Sequence, residues 1–591
     1  MTKIIWLIFF LTVVLIVRSQ EFKYFSPTSF DIEESTNTLF VAGKTANQVR
    51  AYSLSDFSSF KVLQTQLPPK SVALAGDQLL VASSHSLGEL LVVNKKTLRQ
   101  EARIQVGNGA VDVVANAGAS LAYVANQFSN DISVVDLIKK KETKRIPVLR
   151  QPTKLALSEN GRYLFVANFL TAGRADADTV TAEVSIIDLE KEEVIRNIPL
   201  ANGSNALRGM ALSADGNYVF ISHNLGHFQV PTTQLEQGWM NTSALSVIDT
   251  RKLEFVATVL LDEPVKGAAG SWGIDCSDNY VVVAHSGTHD FSLIDYPKFI
   301  AKLKATSNKS ALSYNLRFLS GIRKRIKTTG NGPRIVKLHS NKVYAANYFS
   351  DIIDIIDPEN SAESQYQQLV LNNNLVNDQI RLGEIYFNDA NYCFQSWQSC
   401  NGCHPGDART DGLNWDLMND QMGNPKNCKS MLGAHETPPV MITGIRPDAE
   451  TAVRAGFKHI QFAQIDEERA RAVDAYLKAL KPVPSPYLVD GKLSTRARLG
   501  KEVFENTGCG HCHNGPWLTD QKRHEMGTPS EYDHQNSWDT PTLIEVWRTG
   551  PWLHDGRSAT MKEVFTTEKH GLNKTLTKEE IDALVEYVLS L

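Results

Sequence analysis

The sequence predicts a multidomain protein in which an N-terminal all-β, seven-bladed propeller precedes two tandem all-α domains. A chain of 591 residues is too long for one hydrophobic core. A short strand pattern recurs seven times between about residue 24 and residue 360. After Pro358 the apolar residues change from a period of two to helical spacing, and a different repeat begins.

The first residues are predicted to be a secretory leader. Lys3 supplies a positive charge, residues 4–17 form an apolar run, and Val17 and Ser19 suit a signal peptidase that cuts before Gln20. An uncleaved anchor is the alternative, although the run is shorter than the roughly 20 residues of a membrane span. With a leader over residues 1–19, we expect an exported protein of the periplasm or cell surface.

Residues 20–360 carry the propeller repeat. Each copy has a short apolar strand, a polar turn and an alternating strand that ends near an aspartate. Two copies show only their opening strands, and the others are complete: 39–42, 80–82, 123–136, 164–188, 219–249, 280–295 and 343–357. Short strands at a period of about 40 residues predict four-stranded blades, and seven blades close into a ring with few exposed edges. The copy that ends at Asp136 resembles the core phrase of the YVTN-type β-propeller family, which implies the fold but little about function.

Three long insertions interrupt the propeller. We place residues 172–181 in the fourth blade, residues 224–242 in the fifth and residues 298–332 between the sixth and seventh. The third insertion is rich in Lys and Arg, which is typical of a solvated surface or of a partner-docking loop.

The C-terminal third is a tandem duplication. The segment Arg381 to Phe387 is answered by Arg498 to Phe504, and each half ends in an amphipathic helix, at residues 466–480 and 577–591. Pro482 to Pro486 reads as the linker. The two domains are therefore predicted at residues 375–485 and 487–591.

Each half contains a c-type haem attachment motif. The motifs are Cys400-x-x-Cys403-His404 and Cys509-x-x-Cys512-His513. Two thiols at this spacing add to the two vinyl groups of one haem, and the following histidine becomes the proximal iron ligand. A zinc site would need a further Cys or His pair in both halves, and none recurs. We therefore expect two cytochrome c-like domains with two covalently bound haem c groups.

The sixth ligands decide whether each iron is open to an oxidant or only passes electrons. In the first unit the candidates are His435 and His459. In the second unit, the candidates are His570, His524, Met526 and Met561.

Three cysteines lie outside the motifs. Cys276 sits in an apolar strand pattern and reads as inert core. Cys393 and Cys428 flank the first motif, and an exported protein could join them in a disulfide. Two separate, small buried side chains are the equal alternative.

The second unit resembles the bacterial dihaem cytochrome c peroxidases, and is similar to the dihaem enzyme that matures methylamine dehydrogenase. The segments that carry the resemblance are 539–543, 549–557 and 559–564. It implies that one haem accepts electrons and relays them to the other, where peroxide is cleaved. The family's sixth ligand to the second haem falls on Glu568, two residues before His570, and a small shift would make His570 the ligand.

The first unit departs from that family. Ile442 to Arg446 replaces the family's Trp-Asp-Gly-Arg segment, and residues 450–462 replace the stretch with its distal glutamate. We assign the distal acid–base role to Glu450, His459 or His435, because cleavage of peroxide needs a proton donor near the distal oxygen. The resemblance also implies a calcium site, whose residues match Asn427, Thr549 and Pro551.

Three functions remain open at this point. The first is an oxidoreductase that reduces hydrogen peroxide or a similar oxidant at the haem of His404, with electrons entering at the haem of His513. The second is a pure electron carrier with the propeller as a docking platform, and the third is an oxidase that modifies protein side chains. We expect an electron-donor protein, a small cytochrome or cupredoxin, and a protein partner for the propeller. A net charge of −4 gives no reason to expect nucleic acid.

Overall fold

A computed structural model describes residues 22–230, 239–417, 425–530 and 532–591. The leader predicted over residues 1–19 and part of the fifth-blade insertion, residues 231–238, lie outside the described residues. Within those ranges no helix is long and apolar enough to cross a bilayer.

Seven four-stranded antiparallel sheets form the propeller, and in each sheet the four strands are consecutive in sequence. The first four blades contain β1 Pro27–Glu33, β2 Thr38–Gly43, β3 Gln48–Ser53 and β4 Asp56–Gln64; β5 Pro69–Ala75, β6 Gln78–Ser84, β7 Gly88–Asn94 and β8 Gln100–Val106; β9 Ala110–Ala115, β10 Leu121–Asn126, β11 Asp131–Asp136 and β12 Lys141–Pro147; β13 Pro152–Leu157, β14 Tyr163–Asn168, β15 Glu183–Asp188 and β16 Glu193–Pro199. The last three contain β17 Ser204–Leu212, β18 Tyr218–Gly226, β19 Asn241–Asp249 and β20 Glu254–Leu260; β21 Ser271–Cys276, β22 Tyr280–His285, β23 Asp290–Asp295 and β24 Arg323–Lys327; β25 Pro333–His339, β26 Lys342–Asn347, β27 Ile352–Ile356 and β28 Gln367–Val370.

Position in the blade explains the apolar pattern of each strand. Second strands such as β2 are apolar without alternation, because neighbouring blades cover both faces of the sheet: residues 39–42 are all at most 1% exposed. Fourth strands such as β12 and β16 lie at the outer rim and are largely exposed. The prediction of seven blades is confirmed.

The ring closes between the first and seventh blades without exchange of strands. Phe25, Phe30 and Leu39 pack in one apolar cluster with Tyr344 and Ile353. The Asp351 carboxylate accepts hydrogen bonds of 2.7 Å from the backbone nitrogens of residues 25 and 26. Packing and hydrogen bonds thus join the two ends of the propeller.

Two sequence predictions about the propeller need correction. The basic insertion at residues 298–332 does not lie between blades: it follows the third strand of the sixth blade, begins with helix α1 (Tyr296–Ala305), and itself supplies β24. The seventh blade continues past the predicted boundary at residue 360 and ends at Val370. Sequence analysis missed its rim strand β28, because that strand is mostly exposed and lacks the apolar pattern that marks the inner strands. Extended β18 and β19 account for part of the predicted fifth-blade insertion.

Two helical units follow the propeller. The first contains α2 Gln379–Asn388, the short turn α3 Pro405–Ala408, α4 Ala449–His459, α5 Glu467–Ala479 and the pair β29 Asn414–Trp415 with β30 Lys426–Asn427. The second contains α6 Thr495–Asn506, α7 Met561–Thr566, α8 Lys578–Leu589 and the pair β31 Arg523–Glu525 with β32 Ser537–Asp539. Both predicted closing helices, α5 and α8, are confirmed.

The same helix crossing occurs in both units. A Cβ atom on Gly383 of α2 would lie 1.9 Å from the backbone oxygen of Ala472 in α5. A Cβ atom on Gly500 of α6 would lie at the same distance from the oxygen of Ala583 in α8. Only glycine allows so close an approach, so the first and last helices of each unit pack backbone to backbone.

Candidate haem sites

Both predicted attachment motifs adopt the same short turn. The backbone nitrogen of His404 donates to the oxygen of Cys400 at 3.0 Å, and that of His513 donates to the oxygen of Cys509 at 3.0 Å. The turn follows α2 in the first unit and α6 in the second. The duplication therefore extends from sequence to backbone hydrogen bonding.

The two motif histidines are held in the same way. Nδ1 of His404 lies 3.0 Å from the backbone oxygen of Arg409, and Nδ1 of His513 lies 3.2 Å from that of Leu518. A carbonyl only accepts, so Nδ1 must carry the proton and Nε2 keeps a free lone pair. Burial lowers the pKa of both histidines, which favours the neutral ring. This is the tautomer and orientation of an iron ligand.

A large, mostly apolar cavity lies beside the first motif. Cys400, Cys403 and His404 line it together with Val453 of α4 and Val473 of α5. Burial raises the pKa of Cys400 to about 12, so that thiol is neutral. Two thiols and a histidine with a free nitrogen on the wall of one apolar cavity fit a covalently attached haem.

Sequence reasoning missed two side chains that hold these thiols. The amide of Gln461, at the end of α4, donates to Sγ of Cys400 at 3.1 Å, and the amide of Asn241 donates to Sγ of Cys403 at 3.1 Å. Asn241 begins strand β19, so the propeller itself supplies part of the first site. No sequence motif could reveal a contact across 162 residues.

The structure separates the three residues predicted for the distal side. His459 lines the cavity and is exposed. His435 is not among the lining residues, because Nε2 pairs with Asp474 at 3.1 Å in the interior. Glu450 is also absent from the wall, because it pairs with Lys478 of α5 at 2.7 Å. Of the three, the geometry brings only His459 to the cavity.

In the second unit His570 faces the motif histidine. The ring centres of His513 and His570 are 6.4 Å apart. Nδ1 of His570 is buried without a hydrogen-bond partner, and burial, followed by the neighbouring His513, lowers the pKa of His570 to about 4. One metal ion at about 2.0 Å from a nitrogen of each ring would hold two ring centres roughly 6 Å apart. His524 instead pairs with Asp520 at 2.8 Å, and Met561 is buried at the start of α7.

The residues matched to a calcium site are only partly brought together. A Cβ atom on Gly556 would lie 2.7 Å from the Asn427 side chain and 3.0 Å from that of Pro551, so these two residues flank one point. The amide of Asn427 donates to the side-chain oxygen of Asn414 at 3.1 Å. The Thr549 hydroxyl is 3.3 Å from the oxygen of Val546 in its own loop.

The cysteines outside the motifs are unpaired. Cys393 is buried, and Sγ of Cys428 lies 3.1 Å from the oxygen of Cys403 and 3.6 Å from Nδ1 of His404. The disulfide alternative is therefore not formed. Burial raises the pKa of the Cys276 thiol to about 12, as expected of an unreactive side chain.

A family model for cytochrome c matches the end of the chain, over residues 497–591. Residues 497–591 are a cytochrome c domain. This domain implies covalently bound haem c.

Three curated relatives share part of the chain. The gamma subunit of hydrazine synthase from Kuenenia stuttgartiensis is 26% identical, over 36% of this chain and 77% of that subunit. The beta subunit of the same enzyme is 26% identical over 38% of this chain, but only 59% of that subunit is spanned. The cytochrome c551 peroxidase of Nitrosomonas europaea is 24% identical, over 42% of this chain and 85% of that protein. The chain is thus distantly similar to both enzymes.

A solved structure shares the fold of a large part of the chain. A chain of Kuenenia stuttgartiensis hydrazine synthase superposes with a TM-score of 0.51 at 22% identity, covering 56% of this chain and 96% of that one. At this identity the likeness concerns the fold alone.

Proposed function

We propose that this protein is an exported dihaem c-type cytochrome oxidoreductase, in which the haem of the second unit relays electrons and the haem of the first unit meets an oxidant such as hydrogen peroxide. Support comes from the distant similarity to a cytochrome c551 peroxidase and from the repeated histidine geometry in both units. Two other relatives are named as subunits of a hydrazine synthase, which is compatible with redox chemistry on small nitrogen compounds.

The difference between the two units carries the proposal. His570 stands opposite His513 at the spacing of a shared metal ion, whereas within the described residues no histidine ring packs against that of His404. The second iron would be closed by two histidines and suited to electron transfer. The first would have no second histidine ligand and could meet an oxidant.

The chain's own residues have separate tasks at the first site. The bound haem would supply the redox chemistry. His404 would hold the iron in a fixed orientation through its Nδ1 bond to the backbone of Arg409. The mostly apolar walls would surround the haem, and His459 on the cavity wall would donate a proton to a bound oxidant.

A second candidate function is a pure electron carrier. It is favoured by the positions of His435 and Glu450, which leave His459 as the only one of the three predicted distal groups on the cavity wall. If His459 ligates the iron instead of moving protons, both haems are closed.

Absorption and paramagnetic-resonance spectra of the purified protein test these functions. The proposal expects one low-spin haem and one high-spin ferric haem that binds cyanide. His570→Ala should convert the low-spin signal to high-spin, and His524→Ala is the matched control that should leave it unchanged. His459→Ala should slow peroxide turnover by about 10²–10⁴-fold with the spectrum retained. Two low-spin haems, one of which becomes high-spin in His459→Ala, would establish the electron carrier instead.

The number of haems and the location are tested separately. Mass spectrometry of protein made in cells with a working attachment system should find two covalent haems per chain, and fewer would contradict the dihaem proposal. Export predicts that the mature chain lacks residues 1–19 and fractionates outside the cytoplasm. A small redox protein as electron donor and calcium at Asn427, Thr549 and Pro551 also belong to the proposal.

A further inference from the structure

One end of the propeller axis contains a hollow, here called the axial chamber. Its volume is about 220 Å³, enough for several water molecules at roughly 30 Å³ each. Inner strands of the propeller form its sides, and the first helical unit closes it with residues that include Asp407 and Glu384. Phe387 lines both this chamber and the cavity of the first haem site, so the two spaces are neighbours.

A repeated backbone irregularity turns side chains toward the chamber. All seven inner strands have a register shift near their first residues, and a bulge of this kind re-aims a side chain. The side chains at these shifts all line the chamber: Thr28, Lys70, Val111, Thr153, Arg208, Trp272 and Arg334. Lys44, which follows β2, completes the set of cations considered below.

The chamber carries an excess of positive charge. Within the described residues Lys44 and Lys70 form no ion pair, and Arg208 and Arg334 donate only to the neutral amides of asparagines. Glu384 is already paired with Arg381 at 2.8 Å, which leaves Asp407 as the carboxylate that faces these four cations.

Other cations near the axis are paired, in contrast to these four. Lys154, which also lines the chamber, pairs with Asp112 at 2.9 Å, and Lys337 pairs with Asp31. Asp275 accepts from the backbone nitrogen of Leu338 at 2.8 Å. The excess of positive charge therefore comes from Lys44, Lys70, Arg208 and Arg334.

The pKa values of the chamber residues shift in both directions: Tyr348, followed by Asp407, raises the pKa of Lys44. Burial, followed by the nearby Lys44, lowers the pKa of Lys70 to about 7. Burial, followed by Arg334, lowers the pKa of Arg208 to about 9. Enclosed cations that oppose one another are costly unless a negative charge lies between them.

We propose that the axial chamber binds a small inorganic oxyanion, held by the ammonium groups of Lys44 and Lys70 and the guanidinium of Arg334. Lysine and arginine are the side chains that bind oxyanions through charge-assisted hydrogen bonds. Cζ of the Arg334 guanidinium lies 3.8 Å from the ring centre of Tyr348 and 4.2 Å from that of Trp272. These two rings hold the guanidinium donors in place before a ligand binds. The site is independent of the chemistry proposed for the haems.

Calorimetric titration of the full-length, haem-loaded protein with sodium sulfate tests the site, in a buffer of low ionic strength without other oxyanions. We expect saturable binding of one sulfate per chain. Lys70→Gln should weaken sulfate binding about 10- to 100-fold, because one hydrogen bond between charged groups is lost. Lys61→Gln, on the exposed rim strand of the first blade, is the matched control and should leave binding unchanged. Asp407→Asn should tighten it, because the chamber then loses its opposing carboxylate.

Several results would overturn the proposal. They are the absence of saturable binding to the unaltered protein, equal affinity in Lys70→Gln, or weaker binding in Asp407→Asn. Thermal unfolding without sulfate guards against a folding defect, since removing one of several unpaired cations should leave Lys70→Gln at least as stable as the parent. A lower melting temperature for that variant would show that Lys70 serves the fold, and would also overturn the proposal.

Discussion

Glu545 connects the two helical units, and its replacement by glutamine is a sharp test of the structure. Its fully buried carboxylate accepts from Nη2 of Arg409 in the first unit at 2.7 Å and from Nη1 of Arg548 at 2.8 Å. It also accepts from the backbone nitrogen of Val483, in the linker, at 3.2 Å. One side chain thus holds both units and the segment between them.

The expected magnitude follows from what remains after the change. In Glu545→Gln the side-chain size is kept, but Arg409 and Arg548 stay buried, at 5% and 4% exposed, without the carboxylate that pairs with both. Removing one partner of a buried ion pair costs about 3–5 kcal/mol. We expect the free energy of unfolding of the haem-bearing region to fall by that amount.

Urea unfolding followed by haem absorbance measures this loss. The matched control is Asp582→Asn, which breaks the partly exposed pair with Lys562 and should cost far less, because solvent screens that pair. A loss for Glu545→Gln no greater than that of the control would refute the argument that this carboxylate holds the units together.

Two further predictions concern the helical units. Burial alone would raise the pKa of Asp533, but hydrogen bonds from His554 and Lys426 bring it well below its ordinary value. The stability that this interaction contributes is present above about pH 4 and is lost as the pH falls through the folded-state pKa. Unfolding measured at a series of pH values should therefore show a weaker loss of stability at acid pH in Asp533→Asn than in the parent protein. Gly500→Ala should destabilise the second unit by about 1–3 kcal/mol in the same assay, because the added Cβ meets the backbone of α8. Gly383→Ala should have the same effect in the first unit, where the added Cβ meets the backbone of α5. Unchanged stability in either variant would contradict the helix crossing.

Local pattern was enough to predict most of the fold. Second strands such as Leu39 to Ala42 are buried on both faces, so the repeat of the blades is written in consecutive residues. The rim strand β28 and the basic strand β24 lack that signal, and their positions were missed for this reason.

The candidate sites divide in the same way. The two Cys-x-x-Cys-His motifs and the closing helices are determined by residues close in sequence, where spacing alone sets the geometry. By contrast, Asn241 reaches Cys403 across 162 residues, and Asn401 meets Arg208 across 193. Such partners carry no local pattern.

The sequence by itself determined what kinds of parts this protein has: seven blades, two duplicated helical units and two haem attachment motifs. The second helical unit contains the cytochrome c domain of residues 497–591. Only the tertiary structure decided which side chains face one another. In the folded chain Glu450 and His435 form ion pairs away from the first cavity, and His570 lies opposite His513. Cations from different blades line one chamber. The physical reason is that periodicity and motif spacing record local geometry, whereas pairing and burial of charges depend on residues that meet only after the chain has folded.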